Sequence, residues 1–260
     1  MVQRLLRGNR ILKKIFKWFV FFHVFLALFL VLTHCSVTKQ TERSYERARK
    51  EKPYDVIIVP GVPYDKANTT SVMTMRLYWA KHLYDSGFTK NIIFSGSSVY
   101  THFVEGIAMK IMADSLGIPV GNTFFETQAE HSTENIYFSW KMAREKGFEK
   151  IALATDPYQA ALLKSFMKRF TPGVKSIPIV FSMLDIDDRS LPKIDTTAAF
   201  VDNFVPITKR ESFWERFQGT MGKRVKEDVK REKAIARKEM KKDKEALSRR
   251  DLAKSNSVKE

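Results

Sequence analysis

Five short strand-like runs recur along the middle of the chain, four of them free of the polar alternation of a half-exposed strand and the third, Thr123 to Glu126, apolar only at Phe124 and Phe125. They fall at 55–59 (DVIIV), 91–94, 123–126, 151–154 and 177–181. Consecutive apolar positions predict strands buried on both faces. Stretches with helical spacing separate them. In 71–86, Val72, Met75, Trp79 and Leu83 form a stripe, and in 101–116 Val104, Ile107, Ala108 and Ile111 share a face. In 133–146, Ile136, Trp140 and Ala143 point inward, and 158–170 buries Leu163, Phe166, Met167 and Phe170. Gly87, Gly117 and Gly147 end the first three helices. Strict alternation of this kind predicts an α/β fold, a three-layer Rossmann-like parallel sheet with helices on both faces. Right-handed crossovers then bring every strand-to-helix turn to one edge.

The first 52 residues follow a different pattern. A basic leader, 1–17, carries Arg4, Arg7, Arg10, Lys13, Lys14 and Lys17 ahead of an apolar run, 18–32, broken only by His23. Counted on to Cys35, the run is long enough for a spanning helix of about 17–25 residues. No A-x-A-like cleavage site follows it, so 18–35 reads as an uncleaved N-terminal transmembrane signal anchor. The alternative, a lipoprotein box at Leu32-Thr33-His34-Cys35, has His34 where a small residue belongs. A basic leading end stays in the cytoplasm and a long following domain crosses whatever its charge, which places the body outside the inner membrane. Residues 36–52, polar and without Gly or Pro, read as a stalk, and 53–207 as the body. In 208–260, an aromatic helix with Phe213, Trp214 and Phe217 precedes a charged tail from Lys223 with too few apolar positions to bury a core face.

Charge sharpens this division. The chain's net +16 belongs to its ends. Residues 1–52 hold 12 Lys/Arg against 3 Asp/Glu, and 209–260 hold 18 against 10, whereas 53–208 hold 15 against 16. A neutral body argues against a nucleic-acid groove, and basic ends suit an anionic lipid surface. The single cysteine excludes an intramolecular disulfide. An acidic stretch with Asp185, Asp187 and Asp188 lacks the Gly and closing Glu of a calcium loop, so no metal is expected there.

Candidate chemistry collects at the carboxyl ends of the strands. After 91–94 the chain reads Ser95-Gly96-Ser97-Ser98, small residues ahead of a helix, the form of a turn whose backbone N–H groups cradle an anion. At the same edge lie Gly61, Glu126, Thr133, Glu134, Asn135, Thr155 and Asp156, with Arg76 and Glu105 leaning in from the flanking helices. Each has a plainer reading: Glu105 favours a helix dipole, Thr133 is a cap, and Asp156-Pro157 is common turn chemistry. Together, small donors, one arginine and several carboxylates suit a phosphorylated or polyhydroxyl ligand. In an enzyme, Glu105 or Asp156 is the general acid/base and Arg76 the charge clamp. Gly61, Ser95, Gly96, Ser97, Glu126, Thr133 and Asn135 line the ligand. No nucleophile elbow, HExxH or GxxxxGK[ST] is present, and no cofactor is indicated.

The order of Pro60-Gly61, Arg76 with Ala80 and Leu83-Tyr84, Gly87, Ser95-Gly96, Glu105 with Met109, Gly117-Ile118-Pro119, Glu126, Thr133-Glu134-Asn135 and Thr155 resembles the SanA/YdcF/ElyC-like family of bacterial envelope proteins. The likeness covers about residues 54–170. It implies a Rossmann-like fold and a role in envelope integrity, in handling phosphorylated or lipid-linked cell-wall intermediates. The family's His and, three residues on, Arg after this strand correspond here to Gln159 and Leu162. Gln transfers no proton near neutral pH, and Leu pairs with no phosphate. Two functions are therefore expected in competition: an anchored envelope enzyme, and a binding or scaffold protein that keeps the fold without the chemistry.

Overall fold

The computed structural model describes residues 2–66, 71–184 and 194–257, with side chains described from 14 to 245 apart from 27 and 29–36. Strands β1 Val56–Pro60, β2 Ile92–Ser95, β3 Thr123–Glu126, β4 Ile151–Leu153 and β5 Lys175–Ser176 form one parallel sheet, ordered β3-β2-β1-β4-β5. β1 lies at the centre with all five residues buried, which explains its unbroken apolar run. Its register sets Ile57 beside Ile92 on one flank and Ala152 on the other.

The chain steps outward from β1 to β3 and then returns past β1 to β4. Right-handed crossovers in the two directions place helices on opposite faces. α2 Ser71–Asp85 and α3 Glu105–Ser115 pack on one, with Met73, Leu77, Trp79 and Leu83 against Met109 and Met112. α4 Ser132–Glu145 and α5 Pro157–Phe170 pack on the other, with Ile136, Ala143, Leu163 and Met167 against Val56, Ile58 and Ile93. On α2 and α3 the predicted inward stripes hold at Trp79, Leu83 and Ala108 and are displaced by about one position elsewhere. Met73, Leu77, Ala108 and Met109 are buried, whereas Val72, Met75, Ile107 and Ile111 are half-buried.

Two element bounds differ from the apolar pattern. α3 begins at Glu105 and not at 101, because 97–104 is a loop with bends at 98–102 that is pinned to a later segment. The Val104 N–H donates to the Ala199 carbonyl at 2.8 Å, and the Ile207 N–H to the Val99 carbonyl at 2.9 Å. The fifth strand pairs at Lys175–Ser176, ahead of the predicted 177–181. The chain runs on beside β4, with Ile177 N–H to Leu153 O at 2.8 Å and Ile179 N–H to Thr155 O at 2.9 Å. Pro178, which has no N–H, suits this outer edge.

α1 is one helix, Val2–Glu51, and it corrects the stalk expected at 36–52. Thr41, Tyr45 and Ala48 are buried against the body, and the Tyr45 ring stacks on Phe88 at 5.0 Å and meets Trp79 at 5.7 Å. Three inward residues at i, i+4 and i+7 make one helical face, too short to register as a stripe. Glu51 stands at the amino edge of the sheet, where Lys150 donates to its carbonyl and Lys175 approaches its carboxylate at 4.0 Å. From there back to Val37, α1 spans about 21 Å, matching the 14 residues of α5 that run alongside. Residue 37 is thus level with Pro157 at the carboxyl edge, and the apolar segment projects beyond that edge. Ile15, Phe16, Trp18, Phe21 and Phe25 on that segment are all exposed. Among the described residues no helix is long and apolar enough to cross a membrane. Part of the predicted span, 27 and 29–35, lies outside those whose side chains are described.

After the body come α6 Ile207–Arg210, α7 Phe213–Thr220 and α8 Lys223–Ser257. Ser212 and Glu215 close a capping box at the start of α7, whose Phe213, Trp214 and Phe217 stay exposed. The tail corrects a second expectation, since its beginning is docked. Val225 is wholly buried, Arg224 pairs with Glu130 at 2.7 Å, and Glu232 takes hydrogen bonds from Lys141 at 2.6 Å and Tyr137 at 3.3 Å. One apolar residue is enough here because ion pairs to α4 supply the rest of the contact. The described residues from 233 to 245 are all exposed. The acidic run at Asp185, Asp187 and Asp188 lies outside the described residues.

Candidate functional site

At the carboxyl edge the turns that follow β1 and β4 close around Arg76. Its Nη1 donates to the carbonyls of Pro60 at 2.9 Å and Gly61 at 3.0 Å. Its Nη2 donates to Asp156 Oδ2 at 2.7 Å and Gln159 Oε1 at 3.0 Å. The side chain is only 4 % exposed. Burial pulls the guanidinium below its ordinary pKa, and the Asp156 carboxylate opposes that. Arg76 Nε has no hydrogen-bond partner among the described residues. A buried donor left unpaired costs about 1–3 kcal/mol, so this N–H is a natural place for a ligand oxygen.

Asp156 caps α5, accepting from the Gln159 N–H at 2.9 Å, while it holds Arg76. Burial pushes its carboxyl up, but the Gln159 N–H and Arg76 outweigh burial and leave it below the ordinary range. It is an ionised positioning group. Gln159 accepts from both Arg76 and the Thr155 hydroxyl. Leu162 is 77 % exposed on the outer side of α5 and lies outside the cluster.

Glu105 is a second buried charge-bearing group at this edge. It is 5 % exposed at the first position of α3, and no described residue donates a hydrogen bond to its carboxyl. Burial pushes its pKa up to about 8, with Arg76 pulling the other way. The carboxyl is therefore mainly protonated at neutral pH. It lies over two glycines whose lack of a side chain makes room for it. A Cβ on Gly61 would come within 2.4 Å of Glu105 Oε2, and one on Gly96 within 2.7 Å. Gly96 also has φ of +140°, which side chains rarely adopt.

The Ser95-Gly96-Ser97-Ser98 turn is not the backbone cradle its composition suggests. The Gly96 N–H donates to Glu126 O at 3.0 Å and the Ser97 N–H to Ala129 O at 2.8 Å. The first N–H groups of α3, on Glu105 and Gly106, donate back to Ser97 O at 3.3 Å and Gly96 O at 2.9 Å. These donors are spent inside the fold. What the turn leaves open is the Ser97 hydroxyl, buried without a partner among the described residues.

Ser95, Glu126 and Asn135 form a separate buried knot between β2, β3 and α4. Ser95 Oγ donates to Glu126 Oε2 at 2.5 Å and lies 2.9 Å from the Asn135 side-chain amide. With that amide's nitrogen turned toward Ser95, each polar atom of the contact has one partner. Glu126 also accepts from the Gln128 and Ala129 N–H groups. Burial raises its carboxyl despite these bonds. Thr133 faces elsewhere and donates to the Gly219 carbonyl at 2.9 Å, tying α4 to α7. Gly61, Arg76, Gly96, Ser97, Glu105 and Asp156 are thus brought together; Ser95, Glu126 and Asn135 support the strand ends behind them, and Thr133 holds the α7 side.

A second charged cluster escaped the sequence reading. His131, at the N-cap position of α4, is 6 % exposed, with Nε2 3.4 Å from Glu211 Oε2. Burial, reinforced by Arg224, holds its pKa down to about 4, so the imidazole is neutral at pH 7. Glu130 receives Arg210 and Arg224, each at 2.7 Å, and Arg224 also pairs with Glu211. The acid-and-histidine run 130–134 was visible, but its partners lie about 80–94 positions away. No family model, no curated protein and no solved structure matches the chain. The fold and cluster define an α/β protein with a buried acid–arginine site at the carboxyl edge of a doubly wound sheet.

Proposed function

We propose that the chain is a membrane-anchored envelope protein, similar to the SanA/YdcF/ElyC-like family, with its body outside the inner membrane. Its carboxyl-edge site binds or processes a phosphorylated or lipid-linked cell-wall intermediate and so supports envelope integrity. The observation that carries this reading is the buried, mainly protonated Glu105 beside Arg76, over Gly61 and Gly96. A neutral carboxyl at pH 7 can give its proton to a phosphate or leaving-group oxygen, the role of a general acid. Arg76 Nε–H and the Ser97 hydroxyl, both unpaired among the described residues, suit the developing charge on that oxygen. Asp156 and Gln159 position the guanidinium. The apolar segment of α1 leaves the body at this same edge, which favours a ligand arriving from the membrane.

A second reading is favoured by Gln159, which spends its amide oxygen on Arg76 and Thr155 and offers no proton. On this reading the site binds without turnover. The test is to extract the full chain in detergent and identify co-purifying molecules by mass spectrometry, for wild type and Glu105→Gln. A phosphorylated molecule that persists intact on the variant but is converted by wild type supports the enzyme. Equal retention without conversion supports the binding protein, and absence of any phosphorylated molecule from both counts against the site.

A further inference from the structure

Along the outer side of the body, α1, α5 and the β5 edge enclose a groove of about 650 Å³, within the range of small-molecule sites. Lys39, Arg43 and Arg47 enter it from successive turns of α1, Lys164 and Lys168 from α5, and Lys175 from β5. The only carboxylate among the lining residues is Glu51, which Lys175 approaches at 4.0 Å. The other five cations have no ion-pair partner among the described residues. Three pairs of them, 39/43, 43/47 and 164/168, stand at i, i+4 spacing, where like charges destabilise a helix. Between the two helices the floor is apolar, with Ala48, Ala160 and Met167.

We propose that this groove binds the phosphate-bearing headgroup of an anionic membrane lipid. The proposal rests on the membrane-anchored reading above. Charge complementarity calls for an anion, and the position of the groove selects a lipid. Its upper end is Val37 and Lys39, where α1 passes from the apolar segment into the body. A lipid whose chains lie along that segment brings its phosphate level with Lys39 and Arg43, and the cations further down receive the remainder of a large headgroup. The groove shares no lining residue with the Arg76–Glu105 cluster, although Pro157 and Ala160 on α5 are chain neighbours of Asp156 and Gln159.

The test uses the full chain in detergent, with phosphatidylglycerol and phosphatidylcholine of matched chains titrated by native mass spectrometry. Inorganic pyrophosphate serves as a soluble competitor. Wild type is expected to hold phosphatidylglycerol at least about tenfold more tightly, at about fivefold for each cation engaged. A variant with Arg43→Gln, Arg47→Gln, Lys164→Gln and Lys168→Gln is expected to lose that preference while keeping its circular dichroism and melting temperature. Equal affinity for the two lipids overturns the proposal, as does an unchanged preference in a folded variant. Tight pyrophosphate binding without lipid preference reassigns the groove to a soluble anion and overturns the lipid. Reconstitution with neutral phosphatidylcholine vesicles separates the underlying reading. A chain left in the aqueous fraction refutes anchoring, whereas one that inserts but shows no preference refutes the groove alone.

Discussion

Replacing Glu105 by Gln keeps the shape of the side chain and removes its titration. The wild-type carboxyl has a pKa moved by burial from 4.5 to about 8. One pH unit corresponds to 1.36 kcal/mol, so ionising it inside the fold costs roughly 5 kcal/mol relative to the unfolded chain. Between pH 4.5 and 8 the folded protein holds more protons than the unfolded one, so this group makes stability fall as pH rises through that window. The Gln variant lacks the slope. The measurement is thermal unfolding of both proteins at pH 5 and pH 9 in the same detergent, where the other titrating groups cancel in the difference. At about 2–4 °C per kcal/mol for a domain of this size, wild type should lose on the order of 10 °C more than the variant. At pH 9 the variant should be the more stable of the two, an inversion that loss of packing cannot produce. Parallel pH dependences would show that the carboxyl is ionised in the fold and would refute the assignment of Glu105 as a proton donor.

Other tests address the surrounding structure. His131 is held down to about 4 by burial and Arg224, so between pH 6.5 and 4 the unfolded chain takes up more protons. Stability should fall with acid in that window, and less steeply in His131→Gln, as measured by denaturant midpoints. Gly96→Val adds a side chain at φ of +140° with a Cβ 2.7 Å from Glu105 Oε2; it should displace the acid and abolish conversion of any co-purified molecule by more than its folded fraction explains. Removing 236–260 should leave the melting temperature within about 1 °C, whereas removing 223–260 exposes the pocket of Val225, worth about 1.5–3 kcal/mol of burial, and should lower it by several degrees. Protease applied to spheroplasts should remove the body, and a protected body would contradict the orientation.

The sheet was legible because β1 and β2 are buried on both faces, so Ile57-Ile58 and Ile92-Ile93 appear as runs with nothing polar between them. The site was half legible. Gly61 and Gly96 directly follow strand ends, and Arg76 and Glu105 lie on the helices after those strands, so chain order alone predicts their convergence. Donor use could not be read, because it depends on backbone pairings such as Ser97 N–H to Ala129 O across 32 positions. Asp156 looked like an acid/base candidate for the same reason: a carboxylate beside a proline shows neither its cap nor its arginine. The docked part of the tail was concealed by economy of contact, one valine and a few ion pairs in a run of charge.

α1 passes from the apolar segment to the core without a break, and that makes it a shaft instead of a tether. A flexible linker would let the body tumble and sample many heights. A continuous helix transmits rotation, so each residue added between 36 and 40 should turn the body by about 100° and lift it by about 1.5 Å. Four added residues should nearly restore the original facing, while two should swing the carboxyl edge to the opposite side. Activity plotted against insertion length should then oscillate with a period near 3.6 residues, a signature that a chain acting as a mere leash does not have.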